Sequence, residues 1–443
     1  MTTLFKNRLV RNGLALLALA SSQTAIADDL MSVYQQALQA DPQSKSAEEK
    51  VGIGSAQKGQ ALGQMLPQIN ASANWSGNRY NQNLPTGADR ISNYPGTRYS
   101  VSLNQTLFDF AKFWAWRQAS KIEDQYAEEA IEAHNQLMFS VVDKYFTVLE
   151  AEDQVSFAKT EKQAAQRQLE QIQKQYAKQL LKITDLYAVE ARLDQIIANE
   201  ILAESRRITA QDSLRELTGV SPVALKKLRE AVDYQEIQGN LQQWIDMAQS
   251  QNPAISAKQI AILAAENNVT AQQSKHLPVA ELQLNYYDTN TGYQSSQALP
   301  FQVQTAAINV NVPLFSGGTT THQMFEANHR LQLSKNDNEA TIRAIIKETS
   351  DAFLTANANA RNIKASQKAL TSASKSREAM EHGYHYGVVT ISEVIKAQQD
   401  EFSVKKDFAQ AKYSYIKNRI RFMHALGSIA EENLREVNAW LEK

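Results

Sequence analysis

The sequence predicts an α+β membrane protein in which each chain gives four strands to an oligomeric β-barrel and carries long helices beside it. Three observations predict this. Gly and Pro are absent from residues 97–218, 319–382 and 388–426, where Ala, Gln, Glu, Lys and Leu dominate. Four segments of about ten residues alternate apolar and polar side chains. Finally, the chain is written twice.

The repeat organises everything else. Asp41-Pro42 aligns with Asn252-Pro253, Leu66-Pro67 with Leu277-Pro278, and Trp75 with Tyr286. Leu107-Phe108 then matches Leu314-Phe315, and Tyr145-Phe146 matches Ala352-Phe353. Tyr176, Ile183 and Asp185 match Tyr384, Ile391 and Glu393, and Thr218-Gly219 matches Leu426-Gly427. The offset stays between 207 (314 minus 107) and 211 (252 minus 41) over the whole span. Each half therefore encodes one unit, expected to run helix, two strands, two long helices.

The first 27 residues read as a secretory signal peptide. Lys6, Arg8 and Arg11 precede a short apolar stretch, Leu14 to Ala20, and Ala25-Ile26-Ala27 is a small-x-small cleavage site. The apolar run is too short to span a bilayer as a helix. The chain has 443 residues and no cysteine, so neither a disulfide framework nor an acylated cysteine is expected. A formal charge of −1 gives no electrostatic case for nucleic acid. Mean hydropathy is −0.44 and no later window resembles a transmembrane helix. Membrane residence then requires a β-barrel.

The strands alternate clearly. Ile69, Ala71, Ala73 and Trp75 face one way against Asn70, Ser72, Asn74 and Ser76. Tyr99, Val101, Leu103 and Leu107 alternate with Ser100, Ser102, Asn104 and Thr106. Leu282, Leu284 and Tyr286, then Ile308, Val310, Val312 and Leu314, repeat the pattern. Apolar-out, polar-in strands suit a membrane barrel with a wet lumen; a half-buried soluble sheet is the alternative. Residues 78–97 and 289–302 read as surface loops. Four strands cannot close, because membrane barrels need about eight or more and every edge must be paired. Two copies would give eight strands and little lumen; three would give twelve and an open one.

The long segments carry helical stripes. Leu137, Val141, Tyr145 and Val148 form one, and Val142, Phe146 and Leu149 adjoin it. A helix apolar on two neighbouring stripes contacts a neighbour on each side. Ala352, Ala356, Ala360 and Ala369 permit close approach in the second half.

Around the expected helix-to-helix turn, Gly383-Tyr384-His385-Tyr386-Gly387 followed by Thr390-Ile391-Ser392-Glu393-Val394 resembles a turn of the TolC family of outer-membrane efflux proteins. Gln175 to Leu186 is its first-half counterpart, and Asn311 to Gly318 is similar to the family's strand-to-helix swivel. The resemblance implies a homotrimer with a 12-stranded β-barrel in the outer membrane and a 12-helix α-barrel in the periplasm. It implies an exit duct for drug efflux or type I protein secretion, working with a periplasmic adaptor (membrane fusion) protein and an inner-membrane pump of RND, ABC or MFS type. No cofactor is implied, and the missing acylation cysteine points to the non-lipidated branch. The expected organisation is signal peptide 1–27, first repeat 28–219 (strands about 67–108, helices about 109–219) and equatorial linker 220–240. The second repeat follows over 241–427 (strands about 278–315, helices about 318–427), then a C-terminal equatorial segment over 428–443.

The resemblance also nominates residues. Glu393 corresponds to an entrance aspartate of the family, and a ring of such carboxylates attracts cations. Lys396 stands where a second acid is expected, and offers Glu393 a partner one turn away. Asp185 and Tyr384 match a hydrogen-bonding pair that holds the tip closed, with Tyr176 and Thr184 beside their counterparts. Val389 stands where the family has a gating arginine. Gly387 and Val388, with Gln179 and Leu180, occupy the adaptor-contact turns, Gln179 replacing a glycine. The plain alternative makes Glu393 and Asp185 solvated helix-surface acids.

Two other classes fit less well. The seven histidines are scattered, only His382 and His385 are close, and no nucleophile arrangement, phosphate loop or HExxH occurs, so an enzyme is not expected. A trimeric coiled-coil fibre or adhesin without transport would not need a strand hairpin in each half.

Overall fold

The computed structural model describes residues 28–83, 85, 87, 89–222, 224–290 and 299–442. The signal peptide and residues 291–298 of the second expected loop lie outside the described residues. The first repeat comprises α1 (Leu30–Ala40), α2 (Pro42–Gly63), β1 (Gln68–Asn83), β2 (Asp89–Phe108), α3 (Phe110–Ala177) and α4 (Ile183–Thr218). The second comprises α5 (Leu241–Gln251), α6 (Pro253–Ser274), β3 (Val279–Thr289), β4 (Phe301–Asn311), α7 (Thr319–His385) and α8 (Ile391–Ala425), with α9 (Glu431–Asn438) at the end.

Each repeat opens with two helices rather than the single one expected. The break falls at Asp41-Pro42 and again at Asn252-Pro253. A proline disfavours helical backbone at the preceding residue, and both positions are extended, with ψ of 120° and 123°. Pro then starts the next helix, where its missing N–H costs nothing. The Asp41 carboxylate accepts from Ser44 N at 2.7 Å, and Asn252 Oδ1 from Ala254 N at 2.9 Å.

The four strands form one antiparallel sheet in the order β1-β2-β3-β4. The register places Ile69, Leu103, Leu284 and Ala306 in one row, and Asn70, Ser102, Asn285 and Thr305 in the adjacent row on the opposite face. The alternation therefore segregates as expected. Ser72 and Ser100 hydroxyls meet at 2.6 Å and Asn309 Nδ2 donates to Gln283 Oε1 at 3.0 Å on the polar face. Trp75 Nε1 donates to Tyr99 Oη at 3.3 Å on the apolar one. Residues 78–83 and 89–97, expected as loop, are strand instead. β2 pairs with β3 only as far as Arg98↔Thr289, yet Thr97 through Asp89 continue pairing with β1 as a two-stranded ribbon. Cross-strand bonding satisfies the backbone there whatever the side-chain polarity.

α3 and α7 have 68 and 67 residues, about 100 Å each at 1.5 Å per residue. Near the strands the helices lie in the order α2-α3-α6-α7; further away the order is α4-α3-α8-α7. Both predicted stripes of α3 are buried, Leu137 to Leu149 being at most 3% exposed. They pack with α1, α9 and Tyr415, Ile416 and Ile420 of α8. Ala352, Ala356 and Ala360 are buried on α7, but Ala369 is exposed; the close approach ends above it. The segment between the repeats is strapped across this level. Tyr145 Oη donates to the carbonyls of Asp28 and Lys226, Tyr415 Oη to Gln235 O at 2.6 Å, and Asn357 Oδ1 accepts from Ile237 N at 2.7 Å.

Candidate functional site

The two helix-to-helix turns lie together at the end remote from the strands. In both, five residues join the helices, 178–182 and 386–390. Their backbone bonds match: Gln179 N donates to Tyr176 O and Leu180 N to Gln175 O, as Gly387 N does to Tyr384 O and Val388 N to Gly383 O. This is a Schellman arrangement, which needs a left-handed residue after the helix. Gly387 supplies it at φ 73°. Gln179 is held at φ 60°, alone among the described non-glycine residues in having positive φ.

A small apolar cluster joins the two hairpins. Ile172 (α3), Val189 (α4), Ile391 and Val394 (α8) are buried, with Leu181, Met380 and Tyr384 packed around them. Tyr384 crosses between hairpins: its Oη donates to Gln175 Oε1 at 3.1 Å. The partner is thus Gln175 rather than Asp185. Asp185 is close enough to act through charge. Burial raises the Tyr384 pKa, and the Asp185 carboxylate raises it further. Val389 packs on Gly383, where a Cβ would come within 2.6 Å of Val389 Cγ2. Gln175 is the repeat counterpart of Gly383 (383 minus 175 is 208). At one position, one repeat makes room for Val389 and the other reaches across to Tyr384.

Glu393 is exposed and tied to its own helix start. Its carboxylate accepts from Thr390 N and Thr390 Oγ1, each at 2.8 Å, while Thr390 Oγ1 accepts from Glu393 N. This capping box satisfies two helix-terminal donors. The Thr390 backbone N–H, then its hydroxyl, hold the Glu393 carboxyl below its ordinary range. Lys396 is exposed, and among the described residues it forms no ion pair with Glu393. In the first repeat Lys182 stands at the corresponding cap without a side-chain bond, and Thr184 is exposed. Leu180, Val388 and Tyr386 are 69%, 77% and 77% exposed, forming apolar knobs on the turns, and Tyr176 is exposed beside them.

Higher up, Glu161 of α3 is 4% exposed and meets Arg192 of α4 and, at 3.4 Å, Lys406 of α8. A single buried carboxylate thus ties both hairpins together. Sequence reasoning gave Gln175 and Gly383 no role beyond membership of the turns, and passed over Glu161. It also passed over Thr390 as a cap, although Thr-x-x-Glu before an apolar run is a legible signature. Among the described residues no cluster of His, Asp and Glu has metal-holding geometry.

The arrangement holds two long hairpins together at the end remote from the strands. Comparison with known proteins places it. The sequence model of the family described as outer membrane efflux protein matches residues 33–220 and 244–428, one match per repeat. The chain is 29% identical to the outer membrane protein TolC of Vibrio cholerae, over 96% of this chain and 97% of that one. It is 24% identical to the alkaline protease secretion protein AprF of Pseudomonas aeruginosa, over 94% and 88%. The fold superimposes on the Campylobacter jejuni CmeC outer membrane channel with a TM-score of 0.80 at 15% identity, covering 99% of this chain and 98% of that one.

Proposed function

This chain belongs to the outer membrane efflux protein family, and from that premise we propose that three copies close into one duct, gated where the two hairpin turns meet. The chain is an outer-membrane efflux channel component of a tripartite export system. What supports the trimer is the open edges. β1 and β4 end the sheet, and membrane residence leaves neither edge unpaired. The helix order ends on α7 at one side and on α2 and α4 at the other, so α7 meets α2 and α4 of the next copy. Such a head-to-tail contact builds a ring. Three copies give twelve strands and an open lumen.

The carrying observation for the gate is the bond from Tyr384 to Gln175 on top of the Ile172-Val189-Ile391-Val394 cluster. It joins the hairpin of one repeat to that of the other at the end of the tube. Glu393 and Lys396 ring the entrance, and Asp185, Tyr176 and Thr184 flank it. The exposed turn residues Leu180 and Val388, beside Gln179 and Gly387, receive a periplasmic adaptor, which couples the duct to an inner-membrane pump. Cargo is chosen by that pump, so small molecules and secreted proteins both fit the duct.

Planar-bilayer conductance tests this reading. The wild type is expected to show small, rare openings and Tyr384→Phe combined with Gln175→Ala larger, sustained ones. Absence of conductance in every variant overturns it in favour of a structural, non-conducting trimer.

A further inference from the structure

On the side of the helices away from the segment that joins the repeats, α3, α4 and α8 border a cavity of about 640 Å³. Two tyrosines fix which side this is. Tyr145 Oη and Tyr415 Oη donate to that segment, at Lys226 O and Gln235 O. Thr147 and Lys417 line the cavity two residues further along the same helices, about 200° round. α1, α9 and the joining segment therefore cover one face, and the cavity opens on the other. Three copies of that covering layer would fill the bore of the proposed ring. The covered face is thus the outer one, and the cavity opens into the duct.

The charges of the lining do not balance. Lys417 Nζ lies 3.0 Å from Glu150 Oε2 and 3.5 Å from Thr147 Oγ1, so those two charges neutralise each other. Arg206 is the third charged residue of the lining; it is exposed and forms no ion pair among the described residues. It stands three residues after Ala203 and four before Ala210, both buried where α4 meets α3. Its side chain therefore reaches over α3, away from the open edge of α4. The adjacent Arg207 is instead paired, with Glu204 at 2.6 Å. The repeat counterpart of Arg206 is Ser414 (206 plus 208), so the duplicated frame does not call for an arginine here.

The polar groups suit a ligand of stated chemistry. Thr209 Oγ1 donates to Ser205 O at 3.1 Å and Ser213 Oγ to Thr209 O at 3.0 Å, which leaves both hydroxyl oxygens as acceptors. They take a ligand's own O–H or N–H. Arg206, with the Gln154 and Gln410 amides, supplies donors, and a guanidinium fork matches a carboxylate or a phosphate. We infer that this cavity binds an anionic cargo molecule in transit, a carboxylate or phosphate carried on a hydroxylated body, with Arg206 holding the anion. Its place in the duct wall rests on the proposed ring, whereas the site itself lies within one chain.

Calorimetric titration of the detergent-solubilised full-length protein tests it, with glucose 6-phosphate, glucuronate and glucose as probes. The two anions are expected to bind, and glucose, a similar ring without the charge, to give no measurable heat. Arg206→Gln should weaken both anions about tenfold or more, through loss of a charge-assisted contact. Glu150→Gln should tighten them because it frees Lys417, a gain that a misfolded variant cannot produce. Arg435→Gln, on α9 at the covered face, controls for general surface charge and should leave binding unchanged. Equal binding by wild type and Arg206→Gln, or an equal loss in Arg435→Gln, overturns the site. The titration needs no conducting pore. A protein that never conducts fails the duct reading and leaves the site standing.

Discussion

The hydroxyl of Tyr384 donates to Gln175 Oε1 at 3.1 Å, joining the ends of two 100-Å helices that belong to different repeats. A net contribution of about 0.5–1.5 kcal/mol is ordinary for such a bond, and the proposed ring of three copies would multiply it. Tyr384→Phe is expected to raise open probability in planar bilayers and to admit large antibiotics to cells. Gln175→Ala should match it, and the double variant should add little. Because burial and Asp185 raise the Tyr384 pKa, the phenol stays protonated at neutral pH. A raised pKa contributes closure fully below the ordinary value of 10.0 and loses it only as pH climbs through the raised one. Conductance should therefore show no Tyr384 step near neutrality.

Glu393 and Lys396 set a second expectation. Among the described residues they form no ion pair, so in the proposed ring each keeps its own charge at the entrance. Lys396→Ala is expected to increase cation over anion permeability, read as a reversal-potential shift in a salt gradient. Hydrogen bonds from Thr390 depress the Glu393 pKa, so its charge is complete above 4.5 and disappears only as pH falls through the lower folded value. Selectivity should persist through mildly acid pH and collapse in Glu393→Gln.

How much of this was written in the chain is visible in particular residues. Ile69 through Trp75 showed their faces because a strand has period two and no competing pattern. Leu137 through Leu149 showed two stripes because both are buried. Residues 78–83 and 89–97 misled because Asn, Gly and Thr mark loops by composition, while strand pairing depends on the backbone opposite. Gln175 was illegible for a different reason. Tyr384 packs on the cluster of Ile172, Val189, Ile391 and Val394, and the approach of the two hairpins that brings Gln175 opposite its hydroxyl is a tertiary contact that spacing along the chain does not encode. Glu393 is the last member of a capping box, which the Thr-x-x-Glu spacing before an apolar run marks in the chain.

The buried carboxylate at Glu161 is expected to be costly to neutralise. Glu161→Gln leaves Arg192 and Lys406 facing each other without their shared anion, an effect of about 3–5 kcal/mol for a buried pair. Lys406→Met should cost less, since Lys406 is 36% exposed and Arg192 still neutralises the site. Thermal unfolding of the detergent-solubilised protein measures both.

Gln179 gives the opposite sign. Left-handed backbone costs a non-glycine residue about 1–2 kcal/mol, and glycine's greater unfolded freedom returns about 0.4–1 of it. Gln179→Gly is thus expected to stabilise modestly, by up to about 1 kcal/mol per chain. It also makes the first turn equivalent to the Gly387 turn. Crosslinking from cysteines placed at Leu180 and Val388 should then reach the adaptor equally at both turns. A persistent difference would locate the asymmetry elsewhere.

Gly427 and Gly219 end α8 and α4 in the same left-handed conformation, at φ 72° and 71°. Their surroundings differ. A Cβ on Gly427 would lie 2.7 Å from Asn252 Cα, 2.8 Å from Gln251 O and 2.8 Å from Pro253 Cδ, whereas on Gly219 it would meet Ala40 Cβ at 3.7 Å. The closeness has a cause: Asn252 Nδ2 donates to Ala425 O at 2.9 Å while its Oδ1 caps α6, so one amide clamps two helix ends. The carboxylate of Asp41, its counterpart, has no N–H to give. Gly219→Ala is expected to cost only left-handed strain, about 1 kcal/mol. Gly427→Ala must also displace the α5–α6 junction, and should cost at least twice as much. Asn252→Asp tests the clamp separately. It keeps the α6 cap but turns a donor toward Ala425 O into an acceptor, so it should destabilise although Asp41 is native in the other repeat.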